Sequence, residues 1–251
     1  MASDAELVEL QQTLYTSTNP TRRWLHCTRR DWIADAVHRC TPGVRGQALE
    51  VGPGSGVYLP LLSSVFETVY ATDIEAAYLK YAAPLVDKLA NLKLLVDDIA
   101  DSKLPPQSFD LILCSEVLEH ISDSSAAVAG MRRLLKPGGL LILSTPQRYS
   151  PLELAAKIAF LPGVIQLVRL IYREPILETG HINLMTSRTV ERQLTEAGFC
   201  ISERYKSGLY LPFVAEFSGQ YGLRIEQWLE AYLRDGPADG LLWTQYYVAR
   251  A

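Results

Sequence analysis

The sequence predicts an α/β domain built on a parallel sheet with helices on both faces. Three observations carry that expectation. After the Pro42-Gly43 break, short apolar runs alternate with helical stretches. A glycine turn holding Gly52, Gly54 and Gly56 follows the first apolar run. An acidic residue, Asp73, closes the second run about twenty residues further on. The last two together form the strand-loop-helix arrangement that lets backbone approach a nucleotide closely while a carboxylate reaches its ribose.

Ahead of the break, Leu7, Leu10 and Leu14 recur at helical spacing across residues 3–18, Asn19-Pro20 punctuates, and a second helix is predicted over 21–40. Within it Trp24, Ile33 and Val37 can face a core, while Arg22, Arg23, Arg29 and Arg30 read as a solvated face. An arginine clamp for an anionic substrate group is the minority alternative. Tyr15 and His26 can border a site, although packed roles suit them better. The first strand ends at Glu50-Val51. The second, over 68–72, ends at Asp73, which can accept both ribose hydroxyls of an adenine nucleotide or cap the helix that follows. That helix spans 76–89, and a third strand, 92–96, is closed by Asp97-Asp98-Ile99. There a carboxylate can reach an adenine amino group while Ile99 packs on the ring; turn chemistry is the other reading of two adjacent acids. A fourth strand over 109–114 runs into Ser115 to His120. A helix over 124–135 stops at Lys136-Pro137-Gly138-Gly139, and a fifth strand follows over 140–144. A helix over 187–197, a sixth strand over 200–205 and a last strand over 242–249 complete the alternation.

The 251 residues suffice for one large domain with a full core, and 48% apolar with 21% charged residues excludes wholesale disorder. A formal charge of -4 provides no general attraction for nucleic acid, and no nucleic-acid partner is expected. Cys27, Cys40, Cys114 and Cys200 form no C-x-x-C pair, which favours a reducing compartment, the cytoplasm, over a disulfide framework or zinc knuckle. The acidic first ten residues predict no secretory signal, and no run of about 18 apolar residues predicts a membrane span.

The motifs in order, E-V-G-P-G-S-G from Glu50, Asp73, Asp98-Ile99, Ser108-Phe109-Asp110, Glu116 to His120 and L-L-K-P-G-G-L-L-I-L-S-T-P, resemble the class I S-adenosylmethionine-dependent methyltransferases. The group of closest resemblance is the small-molecule type of ubiquinone and menaquinone biosynthesis, and the likeness covers residues 47–199. It implies a Rossmann-like sheet of seven strands, six parallel and the last antiparallel, under a helical cap. It also implies S-adenosylmethionine as cofactor. Gly52, Gly54 and Gly56 would face its methionine part, Asp73 its ribose, Asp98 and Ile99 its adenine, and the backbone near Ser115 its amino end. Glu50 and Ile74 join them as cofactor-binding residues. The loop before Leu104-Pro105 is longer than the usual pattern and leaves the choice between Asp97 and Asp98 open. A nicotinamide dinucleotide is the competing cofactor, but Val57-Tyr58-Leu59 stands where its third glycine is expected.

Glu116, Glu119 and His120 form an E-x-x-E-H cluster; on a helix Glu116 would converge with both of the others. His181, in T-G-H-I-N, completes a set that resembles the Glu-Glu-His and second-histidine arrangement of metal-dependent O-methyltransferases. That set could hold Mg2+ or Zn2+ and lower the pKa of a substrate hydroxyl. Without metal, the histidine after the fourth strand serves as base or shapes the pocket. His181 is the first candidate for base or metal ligand, followed by His120 and Glu116. The domain is read as 47–251, with residues 1–46 as helices contributing to the cap and with apolar helical insertions over 147–186 and 207–239. Both insertions leave the carboxyl edge of the sheet, where ligands bind. Their character implies a hydrophobic or aromatic acceptor and peripheral contact with a membrane, or else mutual packing of the two pieces. The expected reaction is methylation of a hydroxyl on a hydrophobic small molecule. Methylation at carbon or nitrogen, a metal-dependent RNA 2'-O-methyltransferase and an inactive binding protein are the alternatives.

Overall fold

The computed structural model describes residues 14–159 and 180–251. The helical expectation for residues 3–18 and the second half of the first insertion therefore fall largely outside the described residues. Helix α1 (Pro20–Cys40) begins where Asn19 caps it: the Asn19 side chain accepts from the amides of Thr21 and Arg22, and Pro20 needs no donor at the first helical position. Strand β1 (Gln47–Val51) and helix α2 (Leu59–Val65) flank the glycine turn. Then come β2 (Thr68–Asp73), α3 (Ala76–Val86), β3 (Leu92–Val96) and a 3-10 turn at Ile99–Asp101. Helix α3 is shorter than its apolar pattern predicts because Pro84 lies inside its last turn and supplies no N–H.

Strand β4 (Phe109–Ser115) leads to a 3-10 turn, Leu118–His120, and then to α4 (Ser124–Leu134) and β5 (Leu135–Pro146). Lys136 to Gly139 read as a helix stop, yet they belong to the strand, since Leu135 already has extended dihedrals and pairs with Phe109. After α5 (Pro151–Ala159) the chain continues through α6 (Ser187–Glu196), β6 (Cys200–Ser207), α7 (Pro212–Phe217), α8 (Gly219–Leu233) and β7 (Thr244–Arg250).

The seven strands form one sheet in the order β3-β2-β1-β4-β5-β7-β6. Strand β7 runs antiparallel to both β5 and β6, and the other pairings are parallel, as expected. One face is covered by α1, α2 and α3, whose Ile33, Val37, Leu59, Leu62 and Ala82 pack on the sheet. The other is covered by α4 and α6 through Val128, Met131, Val190 and Leu194. The second half of α1 is thus part of the sheet's core. Its first half carries the cap, because Thr21 donates to Glu226 at 2.5 Å and Arg22 pairs with Glu216 at 2.9 Å. The order of strands reverses between β1 and β4, which places the ligand crevice at their carboxyl ends.

Helix α8 is patterned inside out. Its buried residues are Gly222, Glu226 and Glu230, and both carboxylates accept from backbone amides, Glu226 from Leu211 and Glu230 from Gly208. Its outer face carries Tyr221, Ile225, Trp228 and Tyr232, continued on α7 by Phe213 and Phe217. Phe213 is 81% exposed and Trp228 68%, so packing against the described residues does not use this apolar surface. No helix among the described residues is long and apolar enough to cross a membrane.

Candidate active site

The glycine turn after β1 is held to β2 by the Gly52 amide, which donates to the Thr72 carbonyl at 2.8 Å. Gly52 has a φ of +64°, and a Cβ there would lie 2.6 Å from Val117, so a side chain is excluded by conformation and by space. Gly54 and Gly56 also adopt positive φ. Beside them Glu50 is buried, its Oε2 has no hydrogen-bond partner among the described residues, and burial alone raises its pKa from 4.5 to about 8. An orphaned carboxylate oxygen at a strand end, next to a turn that leaves no room for side chains, fits a ligand carrying positive charge or hydroxyl donors. The same shift sets a pH dependence. The folded protein holds this proton more tightly than the unfolded chain, so the stability this group contributes is full below about pH 4.5 and is lost as pH rises through about 8. Glu50→Gln should therefore raise the stability of the ligand-free protein at about pH 8.5 by roughly 2–4 kcal/mol and leave it little changed at about pH 4.5. Urea melts at the two pH values check this.

Asp73 ends β2, where burial raises its pKa and its Oδ1 accepts from the Glu75 amide at 3.1 Å; Ile74 next to it is exposed. Asp98 is exposed and caps the short turn through Ala100 at 2.9 Å. Asp97 binds the Lys103 amide with Oδ1 and leaves Oδ2 buried without a partner. Both acids stand at the end of β3. Ile99 differs from expectation. Its side chain packs in the core beneath α4, where its carbonyl meets Gly130, so that side chain is not free to lie on an adenine ring. Ser115, at the end of β4, shares a hydrogen bond with Ser144 on β5 at 2.9 Å.

The E-x-x-E-H cluster is arranged otherwise than its spacing predicts. Glu116 has a φ of +58° and lies ahead of the 3-10 turn, so no single helix face joins it to Glu119 and His120. It pairs instead with Arg29 at 2.8 Å and accepts from Ser144 at 3.0 Å. Arg29 is accordingly buried rather than solvated. Burial, the largest single effect, lowers its pKa, but the Glu116 carboxylate together with Tyr58, Tyr15 and Tyr246 raises it overall. The guanidinium also donates to His26 Nδ1 at 3.1 Å and lies 5.3 Å from the Trp243 ring. Burial first, then the charges of Arg29 and Arg22, lower the His26 pKa, so this imidazole is neutral.

Glu119, His120 and His181 do converge, with one ligand atom of each within 4.8 Å of the others. The two rings are 5.2 Å apart. Glu119 is fully buried; Oε2 accepts from Thr145 at 3.1 Å, and Oε1 has no partner among the described residues. Burial, then the neighbouring Glu116 charge, raises its pKa well above the usual carboxylate range. His120 Nδ1 lies 3.3 Å from the Gly180 carbonyl, which can only accept, so that nitrogen carries a proton. His120 has a lowered pKa, through burial and then the His181 charge. His181 Nδ1 lies 3.1 Å from Glu153. Each ring thus engages Nδ1 and leaves Nε2 for chemistry. The Ile182 and Asn183 amides donate to the Glu119 carbonyl at 3.0 Å, fastening G-H-I-N against the 3-10 turn and bringing His181 to His120. A cavity of about 240 Å³ opens beside them, lined by Arg148, Lys157, His181, Ile182, Asn183 and Leu184.

Residues 24–203 match the family described as the methyltransferase domain. The chain belongs to that family. The chain is 34% identical over 119 residues to the ubiquinone biosynthesis O-methyltransferase of Alkalilimnicola ehrlichii, covering 45% of this chain and 47% of that protein. It spans about half the length of the first curated relatives it matches. A probable S-adenosylmethionine-dependent methyltransferase of Mycolicibacterium smegmatis is 27% identical over 211 residues, 81% of this chain and 70% of the relative. Among solved structures, a putative sarcosine dimethylglycine methyltransferase from Galdieria sulphuraria superposes with a TM-score of 0.60 at 14% identity, over 91% of this chain and 86% of that one. That likeness shows the fold alone, a Rossmann-like architecture.

Glu153, Thr145 and Trp243 line the candidate site without having been singled out in the sequence, and Arg29 entered only within an arginine set read as a solvated face. Arg29 sat in an arginine-rich helix face where nothing local distinguished it from Arg22, Arg23 and Arg30, none of which is buried. Glu153 lies in an apolar run, P-L-E-L-A-A, where an isolated carboxylate was the available signal.

Proposed function

We propose that this methyltransferase carries a methyl group from S-adenosylmethionine to a hydroxyl oxygen of a hydrophobic or aromatic small molecule. The observation that carries the reading is the meeting of Glu119, His120 and His181 after β4, on the side of β1 opposite to Asp73 and Asp98. Bound S-adenosylmethionine supplies a sulfonium methyl already activated for transfer. The chain's own work is to align the acceptor and take its proton. The glycine turn lets backbone pass close to the methionine part, with the Glu50 carboxylate and the Ser115 backbone beside it. Asp73 takes the ribose, Ile74 borders it, and Asp98 with the Ile99 backbone takes the adenine. His181 Nε2 accepts the acceptor's proton, and His120 lies next to it.

Glu119, His120 and His181 also fit a divalent cation, since two bare imidazole nitrogens and an unpartnered carboxylate oxygen are a donor set for Zn2+ more than for Mg2+. Such an ion would lower the pKa of the acceptor hydroxyl. The relatives named for ubiquinone biosynthesis support oxygen as the acceptor atom. Arg148 and Lys157 beside Ile182 and Leu184 suit an aromatic hydroxyl that ionises as it reacts. Radiolabelled methyl transfer to catechols with and without alkyl tails, to arylamines and to short RNA tests the reading. Label should appear on the oxygen of apolar catechols and diminish with a chelator. Label on nitrogen, carbon or RNA contradicts it.

An apolar acceptor partitions into lipid, and the reading extends to a peripheral site on an anionic membrane facing the reducing cytoplasm, in which the four free cysteines would persist. The outer face of α8 supports this: its carboxylates Glu226 and Glu230 point inward, and the charge among its exposed residues is Arg224. Sedimentation with vesicles should carry down the wild-type protein. Binding should fall at least tenfold in Trp228→Ser/Tyr232→Ser; equal recovery of the two proteins would sink this extension.

A further inference from the structure

The hydrogen bond to His181 comes from a carboxylate that is itself fixed on its other side. Glu153 lies in the first turn of α5, buried, with its amide donating to Ser150 Oγ at 3.3 Å. Its Oε2 meets His181 Nδ1 at 3.1 Å, and its Oε1 accepts from Trp243 Nε1 at 3.0 Å. The indole is set in turn. The Trp243 amide donates to Gly208 and its carbonyl accepts from Gln147, each at 2.6 Å, and the ring packs edge-on to His26 and under Arg29. An indole N–H can only donate and a carboxylate can only accept. In neutral His181 the proton must therefore reside on Nδ1, and Nε2 must be bare.

We propose that Glu153, oriented by Trp243, is a positioning residue that holds His181 in the Nδ1–H tautomer, so that Nε2 is the free nitrogen in the group it forms with Glu119 and His120. The inference rests on the proposed role of His181, as base or as cation ligand; either role needs that lone pair. It differs from a packing role in one respect. Glu153→Gln keeps the shape, but Trp243 still demands an acceptor. The new amide must turn its carbonyl to the indole and its NH2 to His181 Nδ1. A donor facing Nδ1 moves the ring proton to Nε2, and the lone pair is lost from the reactive side.

The experiment is a long-range 1H–15N spectrum of 15N-histidine-labelled protein at about pH 8.5, where an ordinary imidazole is neutral. The chain has four histidines, and His181→Asn assigns the signal. Wild-type His181 should show Nδ1 protonated and Nε2 bare; Glu153→Gln should show the reverse. In Glu153→Gln/Trp243→Phe the amide is free to rotate, and the wild-type pattern should return. Methyl transfer to the acceptor found for the protein should fall about 10- to 100-fold in kcat in Glu153→Gln, with KM for S-adenosylmethionine unchanged, and recover in the double variant. An unchanged tautomer in folded Glu153→Gln, or an identical spectrum in the single and double variants, overturns the proposal whatever the turnover. A reversed tautomer with wild-type turnover leaves the positioning role standing and removes His181 from the reaction.

Discussion

His181→Ala should lower kcat for methyl transfer by about 100- to 10,000-fold, the range for loss of a positioned general base, while changing the affinity for S-adenosylhomocysteine less than about twofold. The separation follows from the fold. Cofactor candidates lie at the ends of β1, β2, β3 and β4, whereas His181 enters from the connection between β5 and α6 and is tied to the 3-10 turn after β4. The ring's partners among the described residues are Glu153 and His120. Steady-state kinetics together with calorimetry measure the two effects separately. Unchanged turnover would falsify the assignment of His181, and a parallel loss of cofactor affinity would place the residue in the wrong half of the crevice.

Arg29→Met is expected to destabilise the protein by about 3 kcal/mol or more, because breaking a buried pair leaves the other charge without compensation. Here the orphan would be Glu116, partly buried and beside the fully buried carboxyl of Glu119. Arg29 is the cation bound to Glu116, and it also bridges His26 and Trp243. Arg29→Met/Glu116→Gln should recover more than half of the loss, since the double variant buries no unpaired charge. Denaturant melts of the two variants decide the point. Equal stability of the single and double variants would show that packing on Trp243, rather than charge, is what Arg29 contributes.

The parts legible in the sequence are those fixed by local pattern. Strands β1 to β4 end within a residue of their apolar runs, and Gly52 announced itself because a left-handed φ and a close approach both demand glycine. Lys136 to Gly139 misled because Pro-Gly-Gly is a common helix stop, while pairing of Leu135 with Phe109 draws the segment into β5. Glu116 misled because helical spacing was assumed where the backbone enters a positive φ, and the pairing with Arg29 spans 87 residues. The Glu153–His181 contact joins two residues 28 apart within the first insertion, and Trp243 reaches Glu153 from the far end of the chain, at a separation of 90 residues. No period in the sequence records such contacts. Helix α8 hid its orientation for a related reason: Glu226 and Glu230 face inward only because α1 and the Gly208–Leu211 segment supply their donors.

The glycine turn and the acidic strand ends are proposed to form an S-adenosylmethionine site. Calorimetric titration of S-adenosylhomocysteine into the wild-type protein and into Gly52→Ala tests it most directly. The wild type should show one site of micromolar affinity, order of magnitude. In Gly52→Ala, where the new Cβ would lie 2.6 Å from Val117, affinity should fall at least tenfold in a protein that remains folded. Absence of binding to folded wild-type protein, or equal affinity in both, would contradict it.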